Sequence, residues 1–165
     1  MEPTPNPVSV VEPAGAPVRA EVPSRVCLIS IAGGLYAIDL RNVREVFAVE
    51  AVTPVPGMGT VLAGVTNLRG VIIPLVDLRT ILDLSSTAPS AFAVVTRHGE
   101  HQVGVLVDQS PEIMTVQPDQ FLPAPQNGSN VAHPFVTAVL RIEDRLGGVL
   151  EVPTLLARVE TEGSA

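Results

Sequence analysis

The chain of 165 residues contains no lysine, no tryptophan and a single cysteine, and all ten of its basic residues are arginine. The missing lysine excludes a phosphate-loop lysine, a Schiff-base amine and a kinase-type phosphate lysine together. Aromatic residues make up only 3%, too few to stack the bases of a nucleic-acid strand. The net charge of −7 opposes a phosphate backbone, so nucleic acid is not an expected partner. Cys27 alone cannot close an internal disulfide, which fits a reducing compartment; set in an apolar run, it reads as a small buried side chain. No apolar run reaches the ~18 residues that cross a bilayer. The opening MEPTPNPVSV has neither the basic nor the apolar part of an export signal.

Catalytic patterns are missing as well. There is no G-x-S-x-G, and Cys27 has no neighbouring base. Gly57-Met58-Gly59 lacks the third glycine and the following helix of a nucleotide fingerprint. His98-Gly99-Glu100-His101 has a metal-like spacing, with His133 as a remote third candidate, but it falls on a hairpin turn and reads as solvated. The residues therefore predict no catalytic group, no cofactor and no metal.

What the chain does have is apolar character, 46% hydrophobic with mean hydropathy +0.38, cut into short runs by turn residues. Runs at 26–32, 35–38, 47–56, 61–68, 71–76, 91–97, 102–107, 112–116, 135–142 and 145–152 predict about ten strands. That spacing indicates a mostly β barrel or sandwich. Gly33-Gly34 is expected to form a tight turn, and Pro153 to open a last helix with Leu155, Leu156 and Val159 as its apolar face. Residues 1–24 hold six prolines and read as a disordered, extended tail. The ordered domain is expected over 25–159, a mobile loop over 119–133 and a flexible end over 160–165.

One stretch organises the rest: GVTNLRGVIIPLVDLR, residues 64–79. Two apolar runs meet at the polar corner Asn67 to Gly70, where Gly70 can take positive φ. Residues 71–76 are almost wholly apolar, which predicts a strand covered on both faces, and Pro74 marks a bulge or an edge within it. Asp77 reads as the N-cap of a short helix with Leu78, Ile81 and Leu82 on one face. Asp39 repeats the device before Leu40, Val43 and Phe47. Arg69 then stands at the tip of a stiff corner, either as a contact point or as a solvated turn residue.

This run resembles the signature of CheW-type chemotaxis coupling proteins, and the resemblance covers roughly residues 25–159. It implies two intertwined five-stranded SH3-like β-barrels with a few short helices. It implies a non-enzymatic adaptor that links the cytoplasmic tips of methyl-accepting chemoreceptors to a CheA-type histidine kinase through that kinase's own CheW-like domain. The protein would be a monomer in isolation, cytoplasmic, recruited to membrane-associated receptor arrays without inserting in the membrane. In the family the arginine of the NLRG motif goes with an acidic residue after the first short helix, a position Glu45 holds here. The pair Glu45–Arg69 is expected to fix the corner, and Val43, Glu45, Val46, Asn67, Leu68, Arg69 and Gly70 to form a groove for a receptor helix. The kinase-binding residues are not identifiable from the resemblance. Two departures from the family pattern, Gly147-Gly148 and the 119–133 loop, bear on the second barrel's surface. The alternatives are a coupling protein of a non-flagellar pathway, such as pilus motility, and a small-molecule-binding β-barrel.

Overall fold

The computed structural model describes residues 22–57, 59, 61–86, 88–123 and 135–164, with side chains as far as Val159 in the last segment. The described chain forms eleven strands and one α-helix: β1 (Arg25–Ile31), β2 (Gly34–Asp39), β3 (Val43–Ala48), β4 (Leu62–Leu68), β5 (Val71–Val76), β6 (Phe92–His98), β7 (His101–Val107), β8 (Glu112–Thr115), β9 (Phe121–Pro123), β10 (Val136–Ile142), β11 (Arg145–Leu150) and α1 (Val152–Ser164).

Two sheets interlock. The first has the order β8-β1-β2-β11-β10-β9, the second β3-β6-β7-β5-β4. The middle of the chain thus builds one sheet, and the two ends meet to build the other. Each sheet holds one parallel pairing, β2 with β11 and β5 with β7, where the excursion returns.

The first sheet has six strands where five were expected. The sixth arises because β8 and β9 are both short edge strands, β8 pairing with β1 and β9 with β10. They form the sheet's opposite edges, yet only residues 116–120 separate them, with the 3₁₀ turn Pro118–Gln120 at the bend. Gln120 fixes that bend: its Oε1 accepts from the Gln117 N–H at 2.8 Å and its amide donates to the Arg141 carbonyl at 2.9 Å. The second sheet closes through the chain that leaves β3. Thr53 exchanges two 2.9 Å backbone bonds with Val65 on β4, and the Thr66 hydroxyl donates to the Ala51 carbonyl at 2.9 Å. Gly64 makes that seam possible. A Cβ there would lie 2.5 Å from the Thr53 carbonyl oxygen, so no larger residue permits the approach. The two closed sheets are the SH3-like barrels.

The core explains why so many strands read as unbroken apolar runs. β1 sends Cys27, Ile29 and Ile31 to a large shared core and Val26 and Leu28 to a second cluster inside the first barrel. β7 sends Val103, Val105 and Val107 to the shared core and Leu106 to a cluster inside the second barrel. Both faces of these strands are covered, so the polar alternation of a half-exposed strand never appears. α1 adds Leu155, Leu156 and Val159 to the shared core, which spans both sheets. Burial there pushes the Cys27 thiol up to about 11, so it sits as an inert apolar group.

Several expectations are corrected. The helix after Asp39 is only the 3₁₀ turn Leu40–Asn42, and β3 begins at Val43. The β-branched residues that follow favour the strand over a helix. Val43 and Val46 are therefore strand residues on different faces: Val43 packs against the shared core, and Val46 faces outward with Arg44 and Ala48. After Asp77 the chain makes successive turns, with Leu82 N–H bonding the Leu78 carbonyl at 2.8 Å, and no regular helix forms. β5 is covered on both faces only in its second half. Val71 and Ile72 are 51% and 58% exposed, because β5 meets β7 only at Leu75 and Val76. Over 71–74 it pairs with β4 alone, which is where Pro74 is tolerated. The first tight turn is Ala32-Gly33, with Gly34 already in β2. Within the expected mobile loop, residues 119–123 belong to the 3₁₀ turn and β9, while 124–133 lie outside the described residues. α1 spans Val152–Ser164. The expected tail falls outside the described residues up to position 21. At Gly147 and Gly148 the space of a larger residue is taken by Leu35 on one side and by Tyr36 and Val136 on the other.

Candidate functional site

The β4–β5 hairpin closes on the pair Leu68–Val71. Its two-residue loop has φ of +52° at Arg69 and +88° at Gly70, the left-handed pair of a type I′ turn, whose twist matches the flanking strands. Asn67 secures the loop, its Oδ1 accepting from the Gly70 N–H at 2.8 Å. The turn thus sets the direction of Arg69 before any long-range contact is made.

From that corner the Arg69 guanidinium reaches β3. Its Nη2 lies 2.6 Å from both carboxylate oxygens of Glu45, 24 residues earlier in the chain. The hydrogen bond to Glu45, then that residue's charge, hold the Arg69 proton more tightly than usual, against a small opposing effect of burial. The Arg69 side chain is 69% exposed and that of Glu45 29%, so water screens the pair and it adds little to stability. Its effect is positional. β3 and β4 are the edges of the second sheet, and the bond ties one edge to the hairpin carrying the other.

Around this latch the other predicted groove residues divide. Asn67 and Gly70 are exposed in the turn and Leu68 is half-buried beside it. Val46 presents its side chain on the outer face of β3, whereas Val43 is turned to the core. Sequence reasoning missed Val71 and Ile72, which follow the turn directly and leave apolar surface open beside Arg69. Nothing in the sequence marks them, because their exposure depends on where β7 stops pairing with β5.

Asp39 and Asp77 each bind the backbone N–H two residues on, at 2.9 Å from Arg41 and 3.0 Å from Arg79, and each also holds that arginine's side chain. The Arg79 hydrogen bond holds the Asp77 carboxyl below its usual range, with burial opposing. Asp108, at the end of β7, was not singled out from the sequence. Its two carboxylate oxygens accept from the Ala32 and Gly33 N–H groups at 3.1 Å each, joining the second sheet to the β1–β2 turn of the first. His98 and His101 face each other across the β6–β7 hairpin, and His133 lies outside the described residues. Among the described residues, no group of three or more His, Cys, Asp or Glu is placed to hold a metal ion, and no helix is long and apolar enough to cross a membrane.

Two interlocked barrels filled by their own side chains, with a latched charged corner beside open apolar strand surface, define a binding module of the paired SH3-like barrel class. Residues 25–160 match the family model of the CheW-like domain, and the chain belongs to that family. The probable chemotaxis protein CheW of Rhizobium etli is 28% identical over 131 residues, covering 78% of this chain and 84% of that protein. The chemotaxis protein CheW of Bacillus subtilis is 24% identical over 142 residues, covering 85% and 91%. The crystal structure of the scaffolding protein TtCheW from Thermoanaerobacter tengcongensis shares the fold, with a TM-score of 0.70 at 24% identity over 78% of this chain and 89% of that one.

Proposed function

We propose that the chain is a non-enzymatic adaptor of bacterial chemosensory signalling. It couples the cytoplasmic tips of chemoreceptors to a CheA-type histidine kinase and is recruited by them to membrane-associated arrays. One surface, at the Arg69–Glu45 corner with Val46, Leu68 and the newly seen Val71 and Ile72, receives a receptor helix. Another surface packs against the kinase's CheW-like domain. Coupling then follows from geometry and from the effective concentration of tethered partners.

The observation that carries this reading is the latch. An exposed ion pair that contributes little to stability spans the seam of a barrel and fixes a corner flanked by apolar surface. An apolar strip of this kind suits the i, i+3, i+4 face of a helix. The rival of a small-molecule barrel fits less well, since both barrel interiors are occupied by the chain's own side chains.

The test is reconstitution with a receptor signalling fragment and a CheA-type kinase. Adding the chain is expected to make kinase autophosphorylation respond to the receptor. The variant Arg69→Ala is expected to stay folded, with its melting temperature little changed, and to bind the receptor fragment about tenfold more weakly. A folded Arg69→Ala protein with undiminished receptor affinity would defeat the groove assignment.

A further inference from the structure

A second charged feature lies on the other flank of β3. Between the start of β3 and the end of the β6–β7 hairpin runs an open cleft of about 500 Å³, lined by Arg41, Asn42, Val43, Arg44, Arg97 and His98. Three of the chain's ten basic residues converge there, in a protein whose net charge is −7. One of them, Arg41, is paired with Asp39, which leaves Arg44 and Arg97 as the cations of the cleft without a carboxylate among the described residues.

The backbone explains how Arg44 reaches the cleft. In the β3–β6 ladder Val43 pairs with Thr96 and Glu45 with Val95, so Arg44 is the extra residue of a β-bulge. A bulge re-aims the side chain it carries and locally increases the twist. Arg97 stands one residue beyond Thr96 on β6 and, among the described residues, its side chain donates to the Gly99 carbonyl alone, at 3.1 Å. Two of the neighbouring carboxylates are already engaged. Glu45, next to Arg44 in sequence, has both oxygens on Arg69, and Asp39 has both on Arg41. Glu100, at the hairpin tip, makes no ion pair among the described residues, and neither Arg44 nor Arg97 does.

We propose that this cleft receives carboxylate side chains of the helical partner, so that an acidic segment flanking the docked helix is held by Arg44 and Arg97. The inference rests on the adaptor reading above and adds to it the charge of the partner. Guanidinium forks match carboxylates with paired hydrogen bonds. Val43 lines the cleft and is two residues from Glu45, so the basic cleft and the latched corner both lie along β3. Two arginines free of carboxylates in an otherwise acidic chain are too few for a phosphate backbone but suffice to orient an acidic segment. Such rim charges act chiefly on the association rate and on its salt dependence.

The experiment measures association of the full chain with an immobilised chemoreceptor signalling fragment at 50 mM and 500 mM NaCl. The double variant Arg44→Glu/Arg97→Glu is expected to associate about tenfold more slowly at low salt and within about twofold of the unmodified chain at high salt. Arg141→Glu/Arg145→Glu makes the same charge change on exposed positions of the first sheet, and is expected to stay within about twofold at both salts. Should the glutamate pair fail to fold, Arg44→Gln/Arg97→Gln is expected to slow low-salt association about threefold. Equal rates for the cleft variants and the unmodified chain, or an equal loss in the first-sheet control, overturn the inference. So does a matching loss of binding to the isolated kinase regulatory domain. If the unmodified chain does not bind the receptor fragment, the adaptor reading itself falls. If it binds, and Arg69→Ala weakens it while the cleft variants do not, only the acidic-segment inference falls.

Discussion

Two corners of this molecule are written almost identically: Ile38-Asp39-Leu40-Arg41 and Val76-Asp77-Leu78-Arg79. Both aspartates accept the N–H two residues on, and each grips the guanidinium of its own arginine, Arg41 or Arg79, at 2.6 Å. The local chemistry is the same; the surroundings are not. The Arg41 side chain is 70% exposed and its corner opens toward the cleft beside β3. That of Arg79 is 19% exposed, and its second nitrogen donates to the carbonyls of Ser86 and Ala88 at 3.0 and 2.8 Å. One motif makes a solvated bend, the other a clasp that holds Ser86 and Ala88 to the second barrel. A cap motif therefore specifies a turn, and burial decides whether the turn bears weight.

The sharpest way to test that contrast is at the leucines. Leu78 is fully buried in the shared core, whereas Leu40 only packs against its edge. Leu78→Ala is expected to cost about 3 kcal/mol in urea unfolding and Leu40→Ala about 1 kcal/mol. Equal losses would mean that the two corners are equivalent after all. The arginines come next. Arg79→Ala strands a half-buried carboxylate and two carbonyls and is expected to cost about 2 kcal/mol. Arg41→Ala removes an exposed pair and is expected to cost less than about 0.5 kcal/mol.

The smallest effect is the pH dependence of the buried clasp. The folded Asp77 carboxyl titrates below its ordinary value of 3.8, so as pH falls the unfolded chain takes up the proton first. Its stabilising contribution is complete above about pH 4 and is lost as pH drops through the lower native value. Asp77→Asn is expected to flatten the fall of stability below pH 4, read from urea midpoints at pH 3 to 6. An unchanged slope would remove Asp77 from the acid response.

The same contrast shows what could be read without coordinates. The hairpin at Asn67-Leu68-Arg69-Gly70 was legible because glycine in a two-residue loop and an asparagine before it are local signals. So were the β6–β7 and β10–β11 hairpins and the apolar face of α1. Asp39 does cap a short 3₁₀ helix, Leu40–Asn42, whereas no regular helix follows Asp77; the longer helices came from crediting a cap with more than one turn of chain. The apolar spacing of Leu40, Val43 and Phe47 suits a helix, but Val43 and Val46 gain more by pairing in a ladder with β6. Asp108 and the Arg44 bulge were invisible because their partners lie far along the chain, at Ala32 and Gly33 for the first and at Thr96 and Val95 for the second.

By itself the sequence determined the class of fold, the places where the chain reverses, and the residue types at the charged corner, because each depends on neighbours a few positions away. Only the tertiary structure decided which apolar residues stay open to a partner, which arginines keep a carboxylate, and which of two identical turns is buried. Those outcomes depend on where strands distant in sequence begin and stop pairing, and neither composition nor spacing records that.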